Sequence, residues 1–113
     1  MTALDEVTRN RVRDLNDRLR AQGGPGQIVA SQGLVALGLE FVARAISAVA
    51  EFKDFTPDND PHGEHDFGGM VVDGETVLFK IDYYDLTLTA GSEDPANTAI
   101  TRRVMTVMLA ADY

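Results

Sequence analysis

The run Phe67-Gly68-Gly69-Met70-Val71-Val72, then Asp73-Gly74, then Glu75-Thr76-Val77-Leu78-Phe79-Lys80-Ile81-Asp82-Tyr83-Tyr84 decides the fold. Asp-Gly between two apolar runs is a strong hairpin signal, because a tight two-residue turn needs φ > 0 at both central positions. Strands are predicted over 67–72 and 76–84. Val77, Phe79, Ile81 and Tyr83 alternate with Leu78, Lys80, Asp82 and Tyr84, as in a strand buried on one face. A two-residue turn fixes the register. Phe67 faces Lys80 and, further out, His65 faces Asp82, with Tyr84 on the same sheet face. Glu64, Asp66, Met70 and Val72 then share the other face with Val77, Phe79, Ile81 and Tyr83. That face is mostly apolar and is expected to pack on helices.

Upstream, residues 3–22 read as an amphipathic helix. Leu4, Val7, Val12, Leu15 and Leu19 fall on one stripe. Thr2 with Asp5 resembles a capping box, and Gly23-Gly24-Pro25-Gly26 stops the helix. Arg9, Arg13 and Arg20 lie opposite the stripe and read as a solvated face, a basic docking face being the alternative. A short strand is predicted over 27–31. A second helix is predicted over 39–53, where Leu39, Val42, Ile46 and Val49 form a stripe that Phe41, Ala45, Ala48 and Phe52 widen. Residues 102–110 fit two patterns. Val104, Thr106 and Val107 favour a strand, while Ile100, Val104, Val107 and Met108 fit a helix; the reading taken is a strand completing an antiparallel sheet. The expected fold is α+β, two helices packed on a small antiparallel sheet of three to five strands, in a single domain spanning 1–113.

The 113 residues have room for one hydrophobic core, and a 44% hydrophobic fraction with 25% charged residues is ordinary for a globular chain. There is no cysteine, which excludes disulfides, thiolate nucleophiles and Cys-ligated zinc. No apolar run approaches the roughly 18 residues of a membrane span, and a cytoplasmic location is expected. The net charge of −8 is uneven. Residues 1–44 hold six Arg and five acids, giving +1, whereas 45–113 hold 13 acids against four bases, giving −9. A field of that sign repels phosphate backbones, so a protein with a basic surface is the expected partner rather than nucleic acid or membrane.

Residues 58–69, Asp-Asn-Asp-Pro-His-Gly-Glu-His-Asp-Phe-Gly-Gly, carry both histidines and four acids. Imidazole and carboxylate are the groups that divalent metals use, so His62, His65 and Asp66 are candidate metal ligands, with Asp60, Glu64 and Asp82 as further ligands or a base. The spacing matches neither H-E-x-x-H nor H-x-x-E-H. A second candidate is a polar binding cluster of His65, Asp82, Lys80 and Tyr84, joined by Asp60 and Glu64. The favoured reading is structural: Asp and Asn close Asx-turns, Pro61 holds Asp60 extended, and Gly63 permits unusual dihedrals. No cofactor is expected, a divalent metal being the one that this motif leaves open.

Asn59–Gly68, then Lys80-Ile81-Asp82-Tyr83-Tyr84-Asp85, then Ser92–Pro95 and Thr101-Arg102-Arg103-Val104 together resemble domain-of-unknown-function family 3768. Leu15-Asn16-Asp17-Arg18-Leu19-Arg20 matches it too. Leu78-Phe79 stands where Phe-Trp is common in the family, and the chain closes on Asp112-Tyr113 rather than Glu-Tyr. The resemblance implies a small bacterial accessory protein, of a kind often borne on mobile elements, and it implies no catalytic role. It favours a non-enzymatic binding protein, of which an inhibitor of a host defence or DNA-processing complex is one form. A metal-assisted hydrolase and a purely structural motif are the alternatives.

Overall fold

The computed structural model describes residues 3–113, and their side chains from Glu6 onward. The predicted hairpin is present: β2 (Phe67–Val72) pairs antiparallel with β3 (Glu75–Tyr84), Phe67 opposite Lys80 and Val72 opposite Glu75. Asp73 and Gly74 both take positive φ, 49° and 83°, as a type I′ turn requires. Around the hairpin are α1 (Ala3–Gln22), β1 (Gln27–Ala30), a one-turn α2 (Gln32–Val35), α3 (Leu39–Glu51), β4 (Arg102–Leu109) and a 3₁₀ turn at Ala110–Asp112. The Thr2–Asp5 cap and Leu4 lie outside the described side chains.

The sheet order is β1-β4-β3-β2. Residues 102–109 form a strand antiparallel to β3, with Tyr83 opposite Arg103 and Asp82 opposite Val104. The β-branched residues Val104, Thr106 and Val107 prevail there because both faces of the segment find partners. One expectation is corrected. The sheet is mixed, since β1 lies parallel to β4, Gln27 opposite Val104. A parallel pair needs a long crossover, and α2, α3 and the hairpin supply it. The α+β class stands.

Helices cover one sheet face. Val77, Phe79 and Ile81 from β3 and Met105 and Val107 from β4 are buried against Leu19 of α1, Leu34 of α2, and Phe41, Ala45 and Val49 of α3. Each such side chain contributes roughly 1.5–3 kcal/mol relative to an exposed one. Phe52 and Phe55 meet Phe79 edge to face, at 5.6 and 6.3 Å between ring centroids. Gly68 makes this possible: a Cβ there would sit 2.6 Å from the Phe79 ring and 2.8 Å from that of Phe52. Among the described side chains of the α1 stripe, Val12, Leu15 and Leu19 are buried. Val7 is exposed, where the helix overhangs the sheet.

Candidate functional site

Residues 52–66 connect α3 to β2 and run beside α1. The segment is closed by its own side chains. Thr56 N–H donates to Asn59 Oδ1 at 2.9 Å, and Asn59 Nδ2 donates to the Asp54 carbonyl at 2.8 Å. Asp60 is buried, and its carboxylate accepts the backbone N–H groups of Glu64 at 3.1 Å and His65 at 3.2 Å. An Asx side chain here does what the sequence suggests: it replaces strand or helix partners for two consecutive amides.

His65 departs from its expected place. Its φ of 55° breaks the extended backbone two residues before β2 begins, so the strand register does not reach it. The ring lies flat on Phe55, 3.9 Å between centroids and 5° between planes, and Nδ1 is 2.8 Å from Asp17 Oδ1 on α1. Nε2 is 3.7 Å from Asp60 Oδ2. The predicted His65–Asp82 pair therefore does not form, because stacking and the Asp17 carboxylate draw the imidazole to the helix side. Asp82 instead pairs with Lys80 Nζ at 3.3 Å on the opposite sheet face, which also carries half-buried Tyr84. The predicted cluster is thus split by the sheet, with Lys80, Asp82 and Tyr84 on one side and Asp60, Glu64 and His65 on the other.

Glu64 is on the helix side, and there it enters a network that the sequence reading missed. Asn16, fully buried on α1, donates through Nδ2 to Tyr83 Oη at 2.7 Å and to the Glu64 carbonyl at 3.0 Å. Tyr83 Oη donates to Glu64 Oε1 at 3.0 Å. Arg103 Nε donates to Asn16 Oδ1 at 2.8 Å, its NH2 donates to the Pro95 carbonyl, and its guanidinium stands 5.0 Å from the centre of the Tyr83 ring. Burial, with smaller effects from Glu64 and Asp66, pushes the Tyr83 phenol well above its ordinary value. Burial also lowers the Arg103 guanidinium. Both retain their neutral-pH states, donor phenol and cation. The signals were present in the chain. Asn16 sits four residues from Val12 on the α1 stripe, and Arg103 falls on the inward alternation of Met105 and Val107.

Arg20, expected in solvent, is likewise buried. Its NH1 donates to the carbonyls of Val49, Ala50 and Phe52 at 3.3, 3.2 and 2.9 Å, and its NH2 donates to Asp17 at 2.8 Å. It thus caps the C-terminus of α3 from a neighbouring helix. Arg9 and Arg13 line a shallow cleft of about 400 Å³ with Phe55, Asp60, His62 and His65.

Asp66 is half-buried at the entry to β2. Burial raises its carboxyl above the usual range, and the charge of Glu64 adds to the effect. Among the described residues no group of three His, Asp or Glu side chains is arranged to hold a metal ion. His62, His65 and Asp66 do not converge as the metal reading requires, since His65 turns both ring nitrogens toward Asp17 and Asp60.

The architecture defines an α+β protein with helices on one face of a four-stranded mixed sheet and a polar network locking the loop before the hairpin. The chain belongs to the family described as Protein of unknown function (DUF3768), whose model matches residues 30–112. No curated protein and no solved structure matches it. Among the described residues no helix is long and apolar enough to cross a membrane.

Proposed function

We propose that this is a non-enzymatic binding protein that presents acidic loops to a basic surface on another protein. The observation that carries the reading is the internal use of the polar motif. Asn16, Asp17, Asp60, Glu64, His65, Tyr83 and Arg103 bond one another and the backbone, the pattern of a scaffold rather than of groups aimed at a substrate. Acidic side chains, by contrast, stand in solvent on the loops it holds. Asp54 and Asp58 are exposed on the segment beside Asp17, and Glu93 and Asp94 on the segment that Arg11 ties to α1 through the Ala96 carbonyl at 3.0 Å.

Both loops are braced by side-chain-to-backbone bonds, among them Asp94 to Ala96 N–H and Asn97 to Ala99 N–H. Pre-ordered loops lose little entropy on binding. Acidic charge on them would speed encounter with a basic partner and select against anionic ones. In a bacterial cytoplasmic setting such a protein would suit the inhibition of a defence or DNA-processing complex, by covering a surface that otherwise holds a phosphate backbone.

The test is affinity capture from bacterial lysate, comparing the wild type with a variant carrying D54N, D58N, E93Q and D94N. The reading expects a basic protein recovered at low ionic strength, released by added salt as screening sets in, and not held by the variant. Empty capture at low salt, or equal capture by the variant, rejects it.

A further inference from the structure

The sheet ends on β2, and among the described residues nothing pairs with its outer side. The Ile81 N–H donates to the Asp66 carbonyl at 2.8 Å, which sets the phase of the ladder. Gly68, Met70 and Val72 exchange bonds with β3, so Phe67, Gly69 and Val71 turn their N–H and C=O groups outward. Natural sheets blunt such an edge with charge, proline, a bulge or a covering segment. This strand has no charged residue and no proline, and it pairs with β3 residue for residue without a bulge. Gly69 is exposed, and Val71 is 72% exposed.

We infer that the β2 edge is a pairing site and that its partner is a second copy of this chain, joined antiparallel about Gly69. In that register the sequence complements itself. On the outer face Phe67 stands opposite Val71 of the second copy, an aromatic on a β-branched side chain, one of the favourable cross-strand pairs. On the helix side Gly68 stands opposite Met70, so the long side chain meets an open position.

The overlying helix obeys the same two-fold symmetry. α3 runs along β2 in the reverse direction: Arg44 Nε bonds Asp73 Oδ2 at 2.6 Å beyond one end of the strand, and Phe52 packs over Gly68 toward the other. The helix stripe that carries Arg44 continues through Ser47, Ala48 and Glu51, at i+3, i+4 and i+7. A two-fold axis across β2 sets the two α3 helices antiparallel. Arg44 stays with Asp73 of its own chain, four residues from Gly69, and the small Ser47 and Ala48 lie between it and the Glu51 end.

Salt separates this inference from the proposed function, on which it does not rest. Two chains of net charge −8 repel at long range, so self-association strengthens as salt is added, whereas capture of a basic partner weakens.

Sedimentation velocity from about 1 to 300 μM at moderate salt, with hydrogen exchange at the two extremes, tests it. The wild type is expected to double in mass across the range, and the Phe67, Gly69 and Val71 amides to gain at least about tenfold protection. V71K places a charge on the edge without touching the core. It should melt like the wild type and weaken dimerisation by at least about tenfold. A monomer at every concentration, a dimer indifferent to V71K, or open-ended association in place of a dimer would overturn the inference.

Discussion

The His65 imidazole lies flat on the Phe55 ring, 3.9 Å from centroid to centroid, and not across the sheet from Asp82. The positive φ that takes it there also frees the Glu64 and His65 amides to reach the Asp60 carboxylate. Stacking, the Asp17 bond and the loop closure are therefore one arrangement. H65A should cost about 1–3 kcal/mol in denaturant unfolding, through lost packing and an Asp17 carboxylate left with fewer partners. D82A, on the exposed face, should stay within about 0.5 kcal/mol of wild type. Equal losses from the two variants would return His65 and Asp82 to a common site.

Asn16 is the joint between three elements. One fully buried side chain bonds Tyr83 of β3, the carbonyl before His65 and Arg103 of β4. Its loss takes the Nε partner from the buried Arg103 guanidinium and a donor from the Glu64 carbonyl at once. N16A should therefore destabilise by about 2–4 kcal/mol, more than Y83F, which removes the two hydrogen bonds of the phenol but leaves the ring under Arg103, at about 1–2 kcal/mol. Thermal and denaturant melts of the two variants give the order. A Y83F loss as large as that of N16A would mean that the phenol, not the amide, holds the network.

The hairpin, its register and the helix-facing alternation were legible because each follows from a local rule: Asp73-Gly74 demands the turn, and a two-residue turn leaves one pairing. The register failed at His65 for an equally physical reason. Pairing propagates only while φ stays extended, and nothing in the residues next to His65 announces that Phe55, ten positions back, supplies a better surface. The parallel placement of β1 was hidden too, because strand direction at an edge is set by the crossover and not by the four residues Gln27–Ala30. Arg20 illustrates the remaining gap. A long cation opposite a helix stripe reads as solvated, yet its guanidinium can reach the end of a neighbouring helix once that helix has docked.

Arg20 gives a third prediction. Three carbonyls at the end of α3 converge on its NH1, and Phe55 and Phe79 lie 5.2 and 6.0 Å from its guanidinium carbon. Lysine keeps the charge but lacks the planar fork that serves the helix end and Asp17 together. R20K should lose about 1–2 kcal/mol, and R20M about 2–4 kcal/mol because the carbonyls are then left without a donor. Amide exchange in the last turn of α3 should quicken in both variants, while the β3 amides slow to exchange follow only the global stability. Uniform quickening in every element would argue against a local cap.

The pH response should carry two carboxylates of opposite sign. Asp66 has a folded-state pKa raised above 3.8 by burial and by Glu64, so the folded protein holds that proton more tightly than the unfolded chain. Its penalty is absent below the unfolded value, sets in as pH rises through the window up to the folded pKa, and is fully present above it. D66N removes it. The variant should melt higher than wild type at neutral pH, with the gap closing as pH falls toward 4. Asp85 is the converse. Bonds from Thr89 and Thr87 hold its carboxyl below the usual range, so its contribution is present above the unfolded value and is lost as pH falls through the folded pKa. D85N should melt lower at neutral pH and converge with wild type in acid. Melting curves of the three proteins from about pH 3 to 8 follow both gaps. A D66N protein that is less stable than wild type at neutral pH, or whose advantage does not change with pH, would show that the Asp66 carboxylate serves the entry to β2 instead of straining it.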